Sequence, residues 1–191
     1  MRLTNTRERW GLVSIGFHWL LAIGILAMIA IGLYMVEMPN SMAKLRMYAL
    51  HKSIGLTILA LVALRLGWRL YAGAPAPEPG TPRWQHAAAT TTHWLLYGLM
   101  IAMPLSGWLY NSASNFPLQW FGQFNLPAIA NPDPELKALA RNLHRWGFYL
   151  ISLLVLLHSA AAIKHHLFDR DRTLLRMLPG TGERPRTGVP E

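Results

Sequence analysis

Leu143 to Ile163 reads LHRWGFYLISLLVLLHSAAAI, an apolar run with a histidine in second place and another fourteen residues on. It is long enough to cross a bilayer, which takes about 20 mostly apolar residues. On an α-helix His144 and His158 lie roughly 21 Å apart along the axis and only about 40° apart around it. Both can face one bundle interior, at two depths. Ionisable groups inside a span are costly and mark function.

Three further runs share this character. The first goes from Leu12 to about Val36, with no formal charge between Arg9 and Glu37. It is too long for a signal-peptide core, and no small-residue cleavage site follows it. The second goes from about Met47 to Tyr71. Its His51, Lys52, Arg65 and Arg69 lie near the ends, where long basic side chains can snorkel. The third goes from about Thr91 to Tyr110 and contains Pro104, which a membrane helix tolerates when neighbours satisfy the freed carbonyl. Ala74–Pro82, APAPEPGTP, is an extended linker. Asn111–Pro134 is a longer loop whose Phe116, Trp120, Phe121 and Phe124 suit the membrane interface.

Composition agrees. The chain has 191 residues, 52% of them hydrophobic and 14% charged, whereas a soluble domain carries roughly a quarter charged residues. Disorder is excluded, and the composition argues against a soluble globule. The expected fold is all-α, an integral membrane four-helix bundle. A division into three spans, with the charged second segment on the surface, is the alternative. Residues 1–170 form the membrane domain and 171–191 a basic tail. The net charge of +9 reports topology here rather than a nucleic-acid partner. Twelve of the 18 Lys and Arg fall on the side that holds the termini and the linker. Both termini are therefore expected in the cytoplasm. There is no cysteine, which rules out disulfides, thiolate metal sites and C-x-x-C-H haem attachment.

The histidines carry the chemistry. His18 lies just inside the cytoplasmic start of span 1, and His158 just before the cytoplasmic end of span 4. His51 and His144 open spans 2 and 4 from the other side. Four histidines thus form two layers, each drawn from two helices. Imidazole suits iron at both axial positions, and two haems stacked across a bilayer need this arrangement. Gly55 and Gly147 lie on the faces of His51 and His144. They offer room for a porphyrin edge or for close helix packing, both equally expected of small residues. A proton relay or a metal path in a transporter is the competing reading, though no Asp or Glu lies inside the spans. Met28, Met35, Met100 and Met103 read as apolar filling.

The stretches IGFHWL around His18, LHKSIG around His51, HWLLYGLMIAMPLSGW from His93, and Leu143–Pro179 resemble the prokaryotic cytochrome b561 family of the bacterial inner membrane. The resemblance covers all four spans and the start of the tail, but not the Asn111–Pro134 loop. It implies two haem b groups, one on His18 with His158 and the other on His51 with His144. It also implies ubiquinone as a substrate, with His93 and His165 at recurring positions suited to the quinone. One branch of the family oxidises superoxide and reduces ubiquinone. From the residues themselves, Lys52 and Arg145 adjoin ligands and are the first candidates for haem propionates. Arg65 and Arg69 suit the inner propionates or simple snorkelling. The outer face carries six basic groups against Glu37, Asp133 and Glu135, a field able to steer an anion such as superoxide, although pairing with lipid phosphates or propionates explains it equally. The function expected is electron transfer across the membrane between a periplasmic donor and ubiquinone. The alternative is a haem-bearing anchor relaying electrons for a separate dehydrogenase or hydrogenase partner.

Overall fold

In the computed structural model, which describes residues 2–78 and 80–180, four long helices account for most of the chain. They are α1 (Leu12–Glu37), α2 (Met42–Ala72), α3 (Arg83–Ala113) and α4 (Pro134–Leu167). A short antiparallel hairpin, β1 (Leu118–Trp120) and β2 (Phe124–Leu126), joins α3 to α4. Arg184, Arg186 and the rest of 181–191 lie outside the described residues, as does Pro79 in the linker.

The helices form because a backbone in hydrocarbon must satisfy its own hydrogen bonds. Three of them, α1, α2 and α4, are long and apolar enough to span a membrane. The second segment is thus a candidate span. α3 falls short of that measure, carrying Thr90 to Thr92, His93, Ser106 and Asn111, and it packs between α2 and α4. Every helix except α1 overshoots the apolar run that announces it. α4 begins nine residues early because Asp133 caps it, its carboxylate accepting from the Glu135 and Leu136 amides at 2.8 and 3.0 Å, with Pro134 in the first turn.

The core sits at mid-bundle. Leu21 of α1, Ile58 and Val62 of α2, Tyr97 and Met100 of α3, and Ile151 of α4 pack together. Ile151 stands midway between His144 and His158, so this apolar plug separates the two histidine layers. Few side chains are fully buried, and Leu20, Ile23, Leu26, Leu33, Leu153 and Leu156 point outward. That is the surface of a helix bundle solvated by lipid.

Both ends are tied down. At the hairpin end, buried Ser53 of α2 accepts from the Phe121 amide at 2.9 Å, and Trp120 donates to Thr57 at 3.0 Å. Trp108 donates to the Pro127 carbonyl, and Asn111 to the Phe116 carbonyl. What reads in sequence as an irregular loop is a built cap, turning at Phe121 and Gly122, both with positive φ. At the terminal end the segment before α1 is strapped to the linker, with the Ala76 amide donating to the Arg7 carbonyl at 2.8 Å. The start of the tail folds back: Trp19 donates to the Met177 carbonyl at 2.7 Å, and Arg176 reaches Glu78 and the Ala76 carbonyl. Gly11 permits the N-terminal strap, since a Cβ there would strike the backbone of Leu3 and Thr4.

Ser53→Ala should cost about 0.5–1.5 kcal/mol, because it removes the side-chain acceptor of the Phe121 amide. The expected readout is faster hydrogen exchange at residues 118–126, with α1 and α4 unchanged.

Candidate functional site

The bundle brings the four span histidines together in two pairs. His18 of α1 faces His158 of α4, with ring centroids 6.1 Å apart and planes at 64°. His51 of α2 faces His144 of α4, at 6.2 Å and 69°. The first pair lies toward the terminal end and the second toward the hairpin end. Neither α1 with α4 nor α2 with α4 is among the closely packed helix pairs, which are α1 with α2, α2 with α3 and α3 with α4. Each histidine pair therefore joins two helices that do not pack closely on one another.

These separations bear on what the pairs could hold. A ring centroid sits about 1.1 Å behind its nitrogen, and imidazole nitrogen binds a transition metal at about 2.0 Å, so two axial imidazoles on one metal place their centroids about 6 Å apart. Both pairs stand at that distance.

Hydrogen bonding supplies a second criterion. His144 Nδ1 lies 3.1 Å from the Met103 carbonyl and 3.0 Å from Ser106 Oγ, whose own proton goes to the same carbonyl at 2.7 Å. With acceptors on that side, Nδ1 carries the proton, and Nε2 keeps the lone pair that a metal needs. His51 Nδ1 is buried without a protein partner. His18 differs. Its Nδ1 is 3.3 Å from Arg65 Nη2, and a guanidinium can only donate. Ligation through Nε2 of neutral His18 therefore requires Arg65 to turn away from Nδ1.

Glycines frame the second pair in a way the sequence reading missed. A Cβ on Gly32 would lie 3.7 Å from the His51 ring, and one on Gly107 3.5 Å from the His144 ring. They come from α1 and α3, the two helices that give this pair no histidine. Only the motif Ser106–Gly107–Trp108, inside a stretch already singled out, hinted at one of them. Gly147, read as equally a porphyrin gap or a packing residue, faces the Met103 side chain. Close approach of α3 to α4 accounts for it. Gly55 faces Met28 across the α1–α2 contact.

The remaining candidates fall in several places. His93 stacks edge-on against His158, with centroids 5.3 Å apart, and so joins the first pair. Lys52 donates to Asn111 Oδ1 at 3.1 Å and is part of the hairpin-end network. Arg145 is exposed. His165 lies two helical turns beyond His158, with Nδ1 2.9 Å from Asp169 and 2.7 Å from Asp171. Its two carboxylate partners were not foreseen. Arg65 lies over the Tyr97 ring, and Arg69 over Trp10, Trp94 and Tyr97. Met100 is buried in the core, as apolar filling requires.

Paired imidazoles inside an apolar bundle without cysteine suit a membrane haem protein. Residues 9–180 match the family described as prokaryotic cytochrome b561, and the chain belongs to that family of haem-b membrane cytochromes. It is 37% identical to cytochrome b561 homolog 2 of Escherichia coli (strain K12) over 179 residues, which is 93% of this chain and 95% of that protein. It is 32% identical over 181 residues to cytochrome b561 homolog 1 of the same strain, covering 90% of this chain and 98% of that one. A protein of Yersinia pestis named probable superoxide oxidase CybB is also 32% identical over 181 residues, covering 90% of this chain and 97% of its own.

Gly107→Val should crowd the His144 ring out of its position. Haem per chain, quantified as pyridine hemochrome, should fall by about half while helix content is kept. An unchanged haem content would separate Gly107 from the site.

Proposed function

We propose that the chain carries electrons across the membrane on two b-type haems, from a donor at the hairpin end to ubiquinone at the terminal end. One observation carries the reading. Two imidazole pairs stand at the separation a shared metal requires, at two levels of one bundle, with an apolar plug between them.

His18 and His158 would hold the haem nearer the termini, and His51 and His144 the haem nearer the hairpin. When bound, each group would supply one-electron chemistry. The protein's part is orientation and charge. Met103 and Ser106 fix the His144 ring, Gly32 and Gly107 leave room beside the second pair, and the hairpin network holds Lys52 close to His51. Arg65 and Arg69, cations with aromatic faces as neighbours, are the proposed partners of the propionates at the terminal level. Lys52 and Arg145 are proposed for the other two.

Ubiquinone reduction consumes two electrons and two protons. His93 and His165 are the groups proposed to serve it. His165 has the more suitable surroundings: its Nδ1 lies within 3 Å of two carboxylates that are themselves partly open to water. The basic excess at the terminal end argues that this end is cytoplasmic, in a bacterial inner membrane. Superoxide is the donor we favour, on the net positive charge of the hairpin end and the name of the Yersinia relative. Two superoxide anions would give up one electron each and leave as O2, while ubiquinone takes both electrons and two protons.

Purified protein should contain about two haem b per chain, and His51→Ala or His18→Ala should each remove about one. Superoxide should reduce the haems and ubiquinone should reoxidise them. A full complement of haem that superoxide cannot reduce, but a co-purifying periplasmic protein can, would replace this reading with that of a partner's membrane anchor. Absence of haem from protein made with ample haem would overturn it.

A further inference from the structure

Away from the histidine pairs, the terminal end holds a cavity of about 320 Å3, lined by Arg2, Thr4, Thr6, Arg9 and Trp10 on one side and by Leu12, Ile15 and Leu178 on another. We propose that this cavity binds the phosphate-bearing headgroup of an anionic phospholipid.

Its chemistry is divided as such a ligand requires. Two arginines and two threonines line it, and among the described residues none that line it is acidic. Leu12 and Ile15 belong to the first turns of α1, whose outer surface continues into Leu20, Ile23 and Leu26, exposed to hydrocarbon. A headgroup seated on the arginines would run its acyl chains along that surface. α1 begins here with no acidic residue in its first turn, so the positive end of its dipole adds to the field.

The cavity is built rather than incidental. Asn5 accepts from the Gly11 amide at 2.9 Å and from Ser14 Oγ at 2.7 Å, and donates to the Gly73 carbonyl at 2.7 Å. Thr6 Oγ1 accepts from the Arg9 amide at 3.1 Å. These bonds hold the strand of Arg2–Arg9 in a loop against α2 and the linker. Trp10, part of the wall, lies under the Arg69 guanidinium at 6.0 Å. Nearby, Trp68 is fixed to Ser14 at 3.0 Å. A loop this well fixed presents Arg2 and Arg9 without the ordering cost that weakens a flexible basic tail. Basic pockets at helix ends on the basic side of a membrane recognise lipid phosphates in this manner.

The test is native mass spectrometry of the full-length holoprotein in detergent, with phosphatidylglycerol or phosphatidylcholine added. Wild type should retain phosphatidylglycerol in preference. Arg2→Gln with Arg9→Gln should weaken that retention on the order of tenfold, while Arg83→Gln, an exposed arginine at the same end but outside the cavity, should leave it unchanged. A wild-type visible spectrum certifies that the double variant is folded. Should the spectrum be altered, Arg2→Gln alone, at an exposed position, carries the comparison. Equal retention of both lipids, or equal retention by variant and wild type, would overturn the proposal. Soluble glycerol phosphate competing as well as the lipid at equal concentration would show a free-phosphate site and overturn the lipid assignment.

Discussion

Everything in this bundle depends on placing imidazole rings in an apolar interior that offers them no carboxylate. Histidine is expensive there unless its nitrogens find partners. The protein supplies few. His144 has a carbonyl and a hydroxyl on one nitrogen, His51 has a buried nitrogen with no protein group, and the rings of each pair face one another across about 6 Å. The family supplies haem b, and the separations admit a metal.

Holding two pairs at two levels imposes further conditions. One helix must present histidines fourteen residues apart on a single face, and α4 does so. The helices opposite must come close enough to complete each pair without closing the space. Gly32 and Gly107 meet this condition at the second pair by contributing no side chain. The mid-bundle cluster around Leu21, Val62 and Ile151 keeps the levels apart. The two ends are stapled by polar contacts where the membrane gives way to water: Ser53, Thr57 and Asn111 at one end, Asn5, Trp19 and Arg176 at the other. The outer faces of the helices need none of this and are left to lipid.

Much of this was legible in the sequence. Apolar runs of about 20 residues announce helices in any context, and the spacing of His144 and His158 is a geometric statement in itself. The extents of the helices were less legible, because capping and polar first turns extend α3 and α4 beyond their apolar runs. The hairpin could not be read, since three-residue strands carry no usable alternation and its turn puts a phenylalanine, not only a glycine, at positive φ. The two glycines opposite the second pair were hidden for a different reason. A small residue in a membrane helix reads equally as packing, and only the three-dimensional arrangement separates Gly107, which faces an imidazole, from Gly147, which faces a methionine. The carboxylates beside His165 were missed because Asp169 and Asp171 look like a helix exit until the turn at Arg170, with its positive φ, brings both near one nitrogen.

The central claim is that each haem is held by two imidazoles, one from each of two helices. Near-infrared magnetic circular dichroism of the fully oxidised protein tests it most directly, because the charge-transfer band reports the axial ligands. The account predicts bis-histidine low-spin haem, with an intensity equal to about two haems per chain, and loss of half of it in His144→Ala. A histidine–methionine band, or a five-coordinate high-spin signal in the wild type, would contradict it.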